Sequence, residues 1–474
     1  MLAESTGAKS YGQYEFYKLL SCCHYYIVWI HYRNFLICAP FHHITFAQFT
    51  SRPSRMYSIS RLPSGLPILT APTAGTAAIT VLVFAGAGSR YETQADRGIS
   101  HFLEHMFFKG GAKYKSAADV STAIDSVGGD FNAFTGKEYA GYYVKVSAEK
   151  VELACDVLSD MLCHARFPQE EIEKERGVII EEYRMYQDTP MYQAGWDFET
   201  LLYGDQPLGW DTIGTEEVIR SVNQADFMRH KDELYTADNL VVTFAGNIDE
   251  KKAMELATKY FGTIGGKKAK NWSPLQPSPV KKVSLTQKQT EQAHLVLGVQ
   301  GVSSQDKDHF AQKLLSIILG GSMSSRMFLN IREAHGLCYY ISTSTDNYMD
   351  TGILSTRAGV DQSRLHEAIS AIRHEYEEVA ANGVTATELR KAKDYLKGKI
   401  TLSMEDSEER AHYFGKQQLL YPHVRDLAEY FDEIEKVEIG AVNAMAKRLF
   451  TTDALRLVVI GKEKDENELL KLIS

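Results

Sequence analysis

The pentapeptide His101-Phe102-Leu103-Glu104-His105 is the most chemically specific stretch of this sequence. In a helix, His101 and His105 lie one turn apart on the same face, so both imidazoles can reach one metal ion. Glu104 lies beside that face, where its carboxylate can act as general base on a metal-bound water. Two imidazoles, a carboxylate and one open position suit zinc. The pattern therefore predicts a catalytic zinc site, and its alternative is a helix with partly exposed polar residues.

The third ligand is expected from an acid-rich helix further along the chain. Glu175 and Glu182 are two helical turns apart and share one predicted stripe with Val178 and Ile179. A stripe that mixes carboxylates with Val and Ile faces the interior, where an ionised Glu needs a partner such as zinc. Glu181 points about 100° away from Glu182 and is expected to face solvent.

Length and composition exclude several classes of protein. A chain of 474 residues is too long for one hydrophobic core and predicts two to four domains. Its 44% hydrophobic and 24% charged residues are typical of a globular protein and exclude a mostly disordered chain or a polytopic membrane protein. The net charge of -9 argues against a nucleic-acid binder. Six cysteines without a CxxC pattern indicate a reduced interior rather than a disulfide scaffold.

Residues 1–55 differ from the rest of the chain. Their most apolar part is interrupted by His24, His31 and Arg33, which makes a poor membrane span, and the pattern of a secretory signal is missing. Few acids and two late arginines leave a mitochondrial transit peptide open. The favoured interpretation is an extension ahead of a true start at Met56. The expected location is accordingly cytoplasmic, or the mitochondrial matrix if residues 1–55 are a transit peptide.

From Met56 onward, strand and helix patterns alternate, and the second half repeats the first. Both halves close with an apolar strand that ends in glycine, Gly246 or Gly461, followed by an acidic helix. Ser116 and Ser147 are expected to cap helices, the second of them over residues 148–166. We predict an α+β fold of two homologous domains, each a mostly antiparallel sheet packed against helices. The predicted parts are the extension 1–55, a zinc-binding peptidase domain 56–265, a linker 266–279 and a second domain 280–474 without a metal site.

These motifs resemble the superfamily of pitrilysin, insulin-degrading enzyme and mitochondrial processing peptidase. His101-Phe102-Leu103-Glu104-His105 is the inverted zincin motif of that superfamily. The resemblance implies that His101, His105 and Glu182 bind one zinc ion per chain and that Glu104 is the base. It implies that Glu175 is a supporting acid of the catalytic site. The resemblance runs from about Leu62 to the C-terminus and is strongest with the short, two-domain bacterial-type members.

Further motifs carry the resemblance into the substrate site. Residues 128–135 are similar to the strand of the family against which substrate lies, and residues 332–339 are similar to its clamp of one Arg and one Tyr. By this resemblance, Arg332 and Tyr339 also take part in catalysis. The residues that it assigns to substrate contact are Asn132, Ala133, Phe134, Arg332 and Tyr339.

The second half carries no second metal site by this comparison. His309-Phe310-Ala311-Gln312-Lys313 corresponds to the zinc motif, but Gln312 and Lys313 cannot replace a carboxylate base and an imidazole ligand. The expected function is therefore a zinc endopeptidase that hydrolyses peptides or unfolded segments in a closed chamber. Two alternatives stay open: the catalytic subunit of a heterodimeric processing peptidase, and a non-catalytic member that binds peptides or acts as a scaffold.

The resemblance also implies a partner chain. Long family members contain four such domains, with the zinc in the first and the Arg and Tyr clamp in the fourth. A two-domain chain would therefore place its clamp opposite the metal of another chain. We expect a homodimer, or a heterodimer with an inactive homologous subunit, acting on a peptide or unfolded protein.

Overall fold

The structure is a computed structural model that describes residues 56–278 and 281–474. The predictions for residues 1–55 lie outside the described residues. Within the described ranges, no helix combines the length and the hydrophobicity that crossing a membrane requires. The cysteines of this part, Cys155, Cys163 and Cys338, are free thiols.

The first half is built on a six-stranded sheet. Its strands are β1 (Ser58–Arg61), β2 (Pro67–Pro72), β3 (Ala78–Ala85), β4 (Asp130–Thr135), β5 (Ala140–Ser147) and β6 (Leu240–Gly246). They lie side by side in the order β1-β2-β6-β3-β5-β4. Every pair is antiparallel except β2 with β6. β3 and β6 are central and almost wholly buried, because helices cover both faces of the sheet.

The second half contains a five-stranded sheet. Its strands are β7 (Val283–Gln287), β8 (Gln292–Gly301), β9 (Cys338–Asn347), β10 (Gly352–Asp361) and β11 (Arg456–Gly461). Their order is β7-β11-β8-β10-β9, and only β11 with β7 is parallel. Without β1, the first sheet has the same order: the first strand in the chain, then the fifth, second, fourth and third. This confirms the predicted α+β fold of two like, mostly antiparallel sheets.

The helices of the two halves also correspond in order. Those of the first half are α1 (Ile99–Phe107), α2 (Ala117–Asp125), α3 (Val151–Cys163), α4 (Gln169–Gln187), α5 (Pro190–Tyr203), α6 (Glu216–Ser221), α7 (Gln224–Leu234) and α8 (Glu250–Phe261). Those of the second half are α9 (His309–Gly320), α10 (Leu365–Asn382), α11 (Ala386–Ser403), α12 (Ser407–Leu420), α13 (Leu427–Lys436), α14 (Ile439–Leu449) and α15 (Glu466–Ile473). A short π-helix, Phe328–Glu333, precedes β9.

One of the two predicted helix caps is wrong. Ser116 caps α2, because its side chain accepts a hydrogen bond from the Asp119 backbone N–H. Ser147 makes no such bond, and α3 begins only at Val151 and ends at Cys163. The Ala148 N–H donates to the Ala77 carbonyl next to β3. This contact extends the strand pairing by one residue, so the chain makes a 3₁₀ turn over residues 148–150 before the helix starts.

The two halves exchange one helix each. α5 of the first half packs on β7, β8 and β11 of the second sheet, whereas α12 of the second half packs on β2, β3 and β6 of the first. The first contact buries Phe198 against Val458, and the second buries Phe414 against Phe84. Burial of this kind stabilises the fold by about 1.5–3 kcal/mol for each large apolar side chain. The exchange fixes the two sheets relative to each other.

Candidate active site

Helix α1 owes its position to a buried carboxylate at its N-terminus. Glu92 accepts hydrogen bonds from the backbone N–H groups of Gly98 (2.7 Å) and Ser100 (2.9 Å), which are otherwise unpaired at a helix start. Burial raises the pKa of Glu92 to about 7, and these two bonds oppose the increase. Phe102 and Met106 anchor the other side of the helix in the core. The polar face of α1, with His101 and His105, is therefore turned toward α4.

The two imidazoles of α1 face a carboxylate of α4. Nε2 of His101 lies 3.7 Å from Oε1 of Glu182, and Nε2 of His105 lies 3.5 Å from Oε2 of the same residue. The three ligand atoms are all within 4.8 Å of one another. Metal–ligand bonds of about 2.1 Å at tetrahedral angles separate donor atoms by about 3.4 Å, so the residues present fit a zinc ion.

The two imidazoles differ in the direction of their pKa shifts. Burial and the neighbouring His105 lower the pKa of His101 to about 3, which keeps its ring neutral. Burial also lowers the pKa of His105, but the hydrogen bond to Glu175 and the charges of Glu182 and Glu104 outweigh it and raise the value. Three acids, Glu104, Glu175 and Glu182, thus surround His105 and favour its protonated form in the absence of a bound metal.

Glu175 orients His105 from behind. Its Oε1 lies 2.8 Å from Nδ1 of His105, and its Oε2 lies 2.6 Å from the ammonium nitrogen of Lys109. Burial raises the pKa of Glu175, yet the hydrogen bonds from His105 and Lys109 lower it by more. An ionised Glu175 accepts a hydrogen bond from Nδ1–H and so favours the tautomer of His105 whose Nε2 lone pair faces Glu182.

The interior stripe of α4 is narrower than the predicted one. Glu175, Ile179 and Glu182 span about 60° of the helix, and Val178 lies about 40° further round. Val178 is 52% exposed, so its predicted place in the interior is wrong. Glu181 lies on the solvent side, as expected, and forms an ion pair with Arg184.

The carboxylate of Glu104 is held by the end of strand β4. The Thr135 hydroxyl donates a hydrogen bond to Oε2 of Glu104. Burial raises the pKa of Glu104, and the nearby Glu182 adds to the increase, although the Thr135 bond and His105 oppose it. The sequence motif over residues 128–135 ended on Thr135, but only the tertiary structure reveals its contact with the carboxylate.

The remaining predicted substrate residues fall into two groups. Asn132, Ala133 and Phe134 lie on β4, the edge strand of the first sheet next to Glu104. Arg332 packs over the ring of Phe328 at 4.6 Å, and Tyr339, on the edge strand β9, is 75% exposed. Among the described residues, no hydrogen bond or ion pair joins Arg332 or Tyr339 to the histidine cluster.

Helix α9 has taken another role in the second half. Oε1 of the fully buried Gln312 accepts the backbone N–H of Val302 at 2.7 Å. Gln312 is thus a structural residue at the position that corresponds to Glu104. In the ranges that the structure describes, one group of three or more His, Cys, Asp or Glu side chains is placed to hold a metal. It consists of His101, His105 and Glu182.

Comparison with known proteins identifies the relatives of the chain. Residues 68–215 match the family model described as Insulinase (Peptidase family M16), and residues 221–396 match Peptidase M16 inactive domain. The chain is 37% identical to the "Uncharacterized zinc protease YmxG" of Bacillus subtilis, over 82% of this chain and 94% of the relative. It is 35% identical to the "Uncharacterized zinc protease SCO5738" of Streptomyces coelicolor, over 85% and 89%.

Solved structures show the same fold. A protease from Helicobacter pylori superposes with a TM-score of 0.77 at 22% identity, over 85% of this chain and 99% of that one. A peptidase M16 inactive domain from Pseudomonas fluorescens gives a TM-score of 0.80 at 18% identity, over 86% and 98%. With the sequence matches, these findings show that the chain belongs to the M16 peptidase family and is of its short bacterial type.

Proposed function

We propose that this chain is a zinc-dependent endopeptidase that hydrolyses peptides or unfolded segments. The observation that carries the proposal is the convergence of Nε2 of His101 and Nε2 of His105 on Glu182, with Glu104 beside them. The relatives named zinc proteases support the same general activity.

In this proposal His101, His105 and Glu182 hold one zinc ion per chain. Zinc, when bound, supplies a Lewis acid that polarises the scissile carbonyl and acidifies water. Glu104 takes the proton of the attacking water and later delivers it to the leaving amine. Glu175 keeps His105 in the tautomer that binds metal. Thr135 fixes the Glu104 carboxylate through a single hydroxyl, which leaves the other carboxylate oxygen available for the proton.

Strand β4 is the proposed binding site for the peptide. It pairs with β5 on one side, and no described strand pairs with its other edge. An extended peptide can add to such an edge through main-chain hydrogen bonds, which suits unfolded segments of varied sequence. Asn132, Ala133 and Phe134 then contact the substrate, and Thr135 leads it to Glu104.

The clamp of Arg332 and Tyr339 is proposed to act on the active site of a second chain. Tyr339 is exposed on an edge strand, and neither residue reaches the histidine cluster of its own chain. In a homodimer, Arg332 would hold a substrate carbonyl or carboxylate through its fork of donors. The Tyr339 hydroxyl would donate to the developing oxyanion. Such an assembly would also close the chamber around the substrate.

The catalytic proposal is tested by comparing Glu104→Gln with the wild-type chain. Both should bind one zinc ion per chain by metal analysis, because Glu104 is not a ligand. Cleavage of a quenched fluorescent peptide by the variant should fall by about 10³-fold, since an amide cannot accept the proton. A zinc-loaded wild-type chain that binds peptides without cleaving them would instead indicate a non-catalytic member of the family.

The shared site is tested by co-expressing Glu104→Gln with Tyr339→Phe and isolating the mixed dimer. If the clamp acts across chains, one site combines an intact Glu104 with an intact Tyr339, and activity returns. A mixed dimer no more active than either parent would contradict the shared site. Gel filtration of the pure active chain separates a homodimer from a chain that needs an inactive homologous subunit.

A further inference from the structure

A cavity of about 660 Å³ lies where the two halves meet. The ends of both edge strands line it, β4 through Thr135 and β9 through Asp346, and the exchanged helices α5 and α12 form its walls. Thr135 lines the cavity and also donates its hydrogen bond to Glu104. The cavity therefore borders the active site proposed above at Thr135.

Two lysines without a carboxylate partner face this cavity. Lys313 of α9 and Lys416 of α12 are both half-buried and line its wall. Among the described residues, no carboxylate oxygen lies within 4.0 Å of either ammonium nitrogen. The ammonium group of Lys416 instead lies 4.7 Å from the ring centroid of Tyr139. Burial lowers the pKa of Lys416, but Tyr139, through its charge and a hydrogen bond, and the charges of Tyr421 and Glu138 raise it by more. Lysines in such surroundings are seldom left without an anionic partner.

Most acids of the cavity are already neutralised. Glu138 forms an ion pair with Arg90 at 2.5 Å, although Arg90 also pairs with Asp350 at 2.9 Å, and Glu199 forms an ion pair with Lys137 at 2.8 Å. Asp346 is the remaining carboxylate of the lining, and it has no ion pair within 4.0 Å among the described residues. Two unpaired lysines therefore face one unpaired carboxylate.

The histidines of the lining do not add to this charge. Burial lowers the pKa of both His309 and His412. Arg425, another cation of the lining, is already paired with Glu433 at 3.1 Å. Counted over the side chains that line the cavity, four cations face three carboxylates, which leaves one positive charge that a single carboxylate would balance.

The position of Lys313 connects this cavity with the history of the fold. Lys313 corresponds to His105, and His309, which also lines the cavity, corresponds to His101. The helix face that presents metal ligands in the first half presents a cation to the cavity in the second. The corresponding face of α9 thus lines a cavity through His309 and Lys313.

We propose that the cavity between the two halves is a substrate subsite that binds one carboxylate of the peptide between Lys313 and Lys416. The inference rests on the proposed peptidase function and adds a substrate class to it, namely peptides with a carboxylate near the cleaved bond. The carboxylate comes from an acidic side chain or from a free C-terminus. A hydrogen bond to a charged partner in a secluded site is among the stronger contacts available to a peptide.

Electrostatics inside the cavity support this assignment. Burial lowers the pKa of Lys313, with Asp346 opposing the change, so its charge is held at an energetic cost that a bound anion would offset. The negative charge of Asp346 partly compensates the two lysines, so the site has net charge to bind one carboxylate. Removal of the Asp346 charge should therefore strengthen binding, whereas removal of either lysine charge should weaken it.

The test measures peptide binding separately from hydrolysis. The zinc-loaded Glu104→Gln chain is titrated by calorimetry with decapeptides of otherwise uncharged side chains. Glu or Gln stands at each position in turn, and the C-terminus is free or amidated. We expect at least one carboxylate form to bind about tenfold more tightly than its neutral counterpart. Amidation that removes the preference identifies the C-terminus, and a preference that survives amidation identifies a side chain.

Four further variants, each made in the Glu104→Gln chain, decide whether the cavity is responsible. Lys313→Met or Lys416→Met should reduce the tenfold ratio to about twofold or less, and Asp346→Asn should increase it. Lys399→Met, an exposed lysine of α11, is the matched control and should leave the ratio unchanged. Thermal unfolding establishes that each variant is folded, and two independent lysine variants guard against the failure of one.

Two outcomes would overturn the subsite. One is a wild-type cavity that shows no preference for any carboxylate over its neutral counterpart. The other is a preference that both lysine variants retain as fully as Lys399→Met does. A failure of the peptidase proposal looks different, because the wild-type chain would then leave every peptide of the set intact while binding could still discriminate between them.

Discussion

Helices α1 and α9 occupy the same place in two sheets of the same strand order, yet their polar faces differ. α1 presents His101, Glu104 and His105 to α4, which supplies Glu175 and Glu182. α9 packs on α11 in the same way, but its Gln312 side chain accepts a hydrogen bond from the backbone N–H of Val302. The comparison shows that the scaffold alone does not make the site. The histidines of α1 and the carboxylates of α4 together form the candidate metal site of the first half, whereas α9 carries Gln312 and Lys313 at the positions of Glu104 and His105.

The ligand assigned to α4 gives the largest predicted effect. Loss of a residue that hydrogen-bonds a metal ligand lowers metal affinity by about 10–100-fold. Glu182→Gln should lower zinc affinity by more than this, because it removes a direct ligand. Peptide hydrolysis should be lost with the metal. Glu181→Gln, one residue away on the solvent side, is the matched control and should bind zinc normally by metal analysis. Exchanged phenotypes would refute the assignment of the helix face.

The support of His105 is the next most sensitive feature of the first half. Glu175→Gln should reduce zinc affinity by about 10–100-fold, because the amide holds the His105 tautomer less firmly. Competition with a chromophoric chelator measures the affinity. Glu173→Gln changes an exposed acid of the same helix and should have no effect. Equal affinities in the two variants would show that Glu175 does not support the site.

The corresponding position in the second half should affect stability instead of metal binding. Gln312→Leu leaves the buried Val302 N–H without an acceptor and should lower the free energy of unfolding by about 1–3 kcal/mol. Its zinc content should be normal. Urea titration gives the stability, with Gln289→Leu, at an exposed glutamine, as the control that changes it by less than about 0.5 kcal/mol. Zinc loss in Gln312→Leu would contradict the conclusion that this position of the second half serves stability and not metal binding.

The exchanged helices should respond unequally to a single methyl group. A Cβ on Gly415 of α12 would lie 2.5 Å from Oγ1 of Thr243 and 2.6 Å from Cε2 of Phe84. A Cβ on Gly195 of α5 would meet the end of the flexible Arg357 side chain at 2.8 Å. Gly415→Ala should therefore be less stable than Gly195→Ala by about 1–2 kcal/mol in urea titration. Equal stabilities would indicate that both interfaces relax alike.

Local sequence patterns predicted the parts of this molecule that depend on local physics. The helix around His101, the cap at Ser116 and the apolar strand ending at Gly246 follow from periodicity, capping and glycine punctuation, and all three are present. The grouping of His101, His105 and Glu182 also agrees with the predicted spacing, while their roles as ligands stay a prediction.

Other features depend on contacts between distant segments and could not be predicted. The Thr135–Glu104 hydrogen bond joins a strand end to a helix, and the cavity of Lys313 and Lys416 exists because α5 and α12 are exchanged. Val178 was misplaced because the width of a buried stripe depends on the neighbouring helices. No local signal in the chain carries that information.

The helix exchange has a consequence for the synthesis of the protein. When β6 has left the ribosome, the apolar outer face of the first sheet, with Phe84 and Val241, still lacks its cover. That cover is α12, whose last residue is Leu420. At about 5–20 residues per second the wait is on the order of ten to thirty seconds. During this interval the nascent chain exposes an apolar surface that can bind other chains. We therefore expect a holding chaperone to bind this surface, and slower translation to prolong the contact.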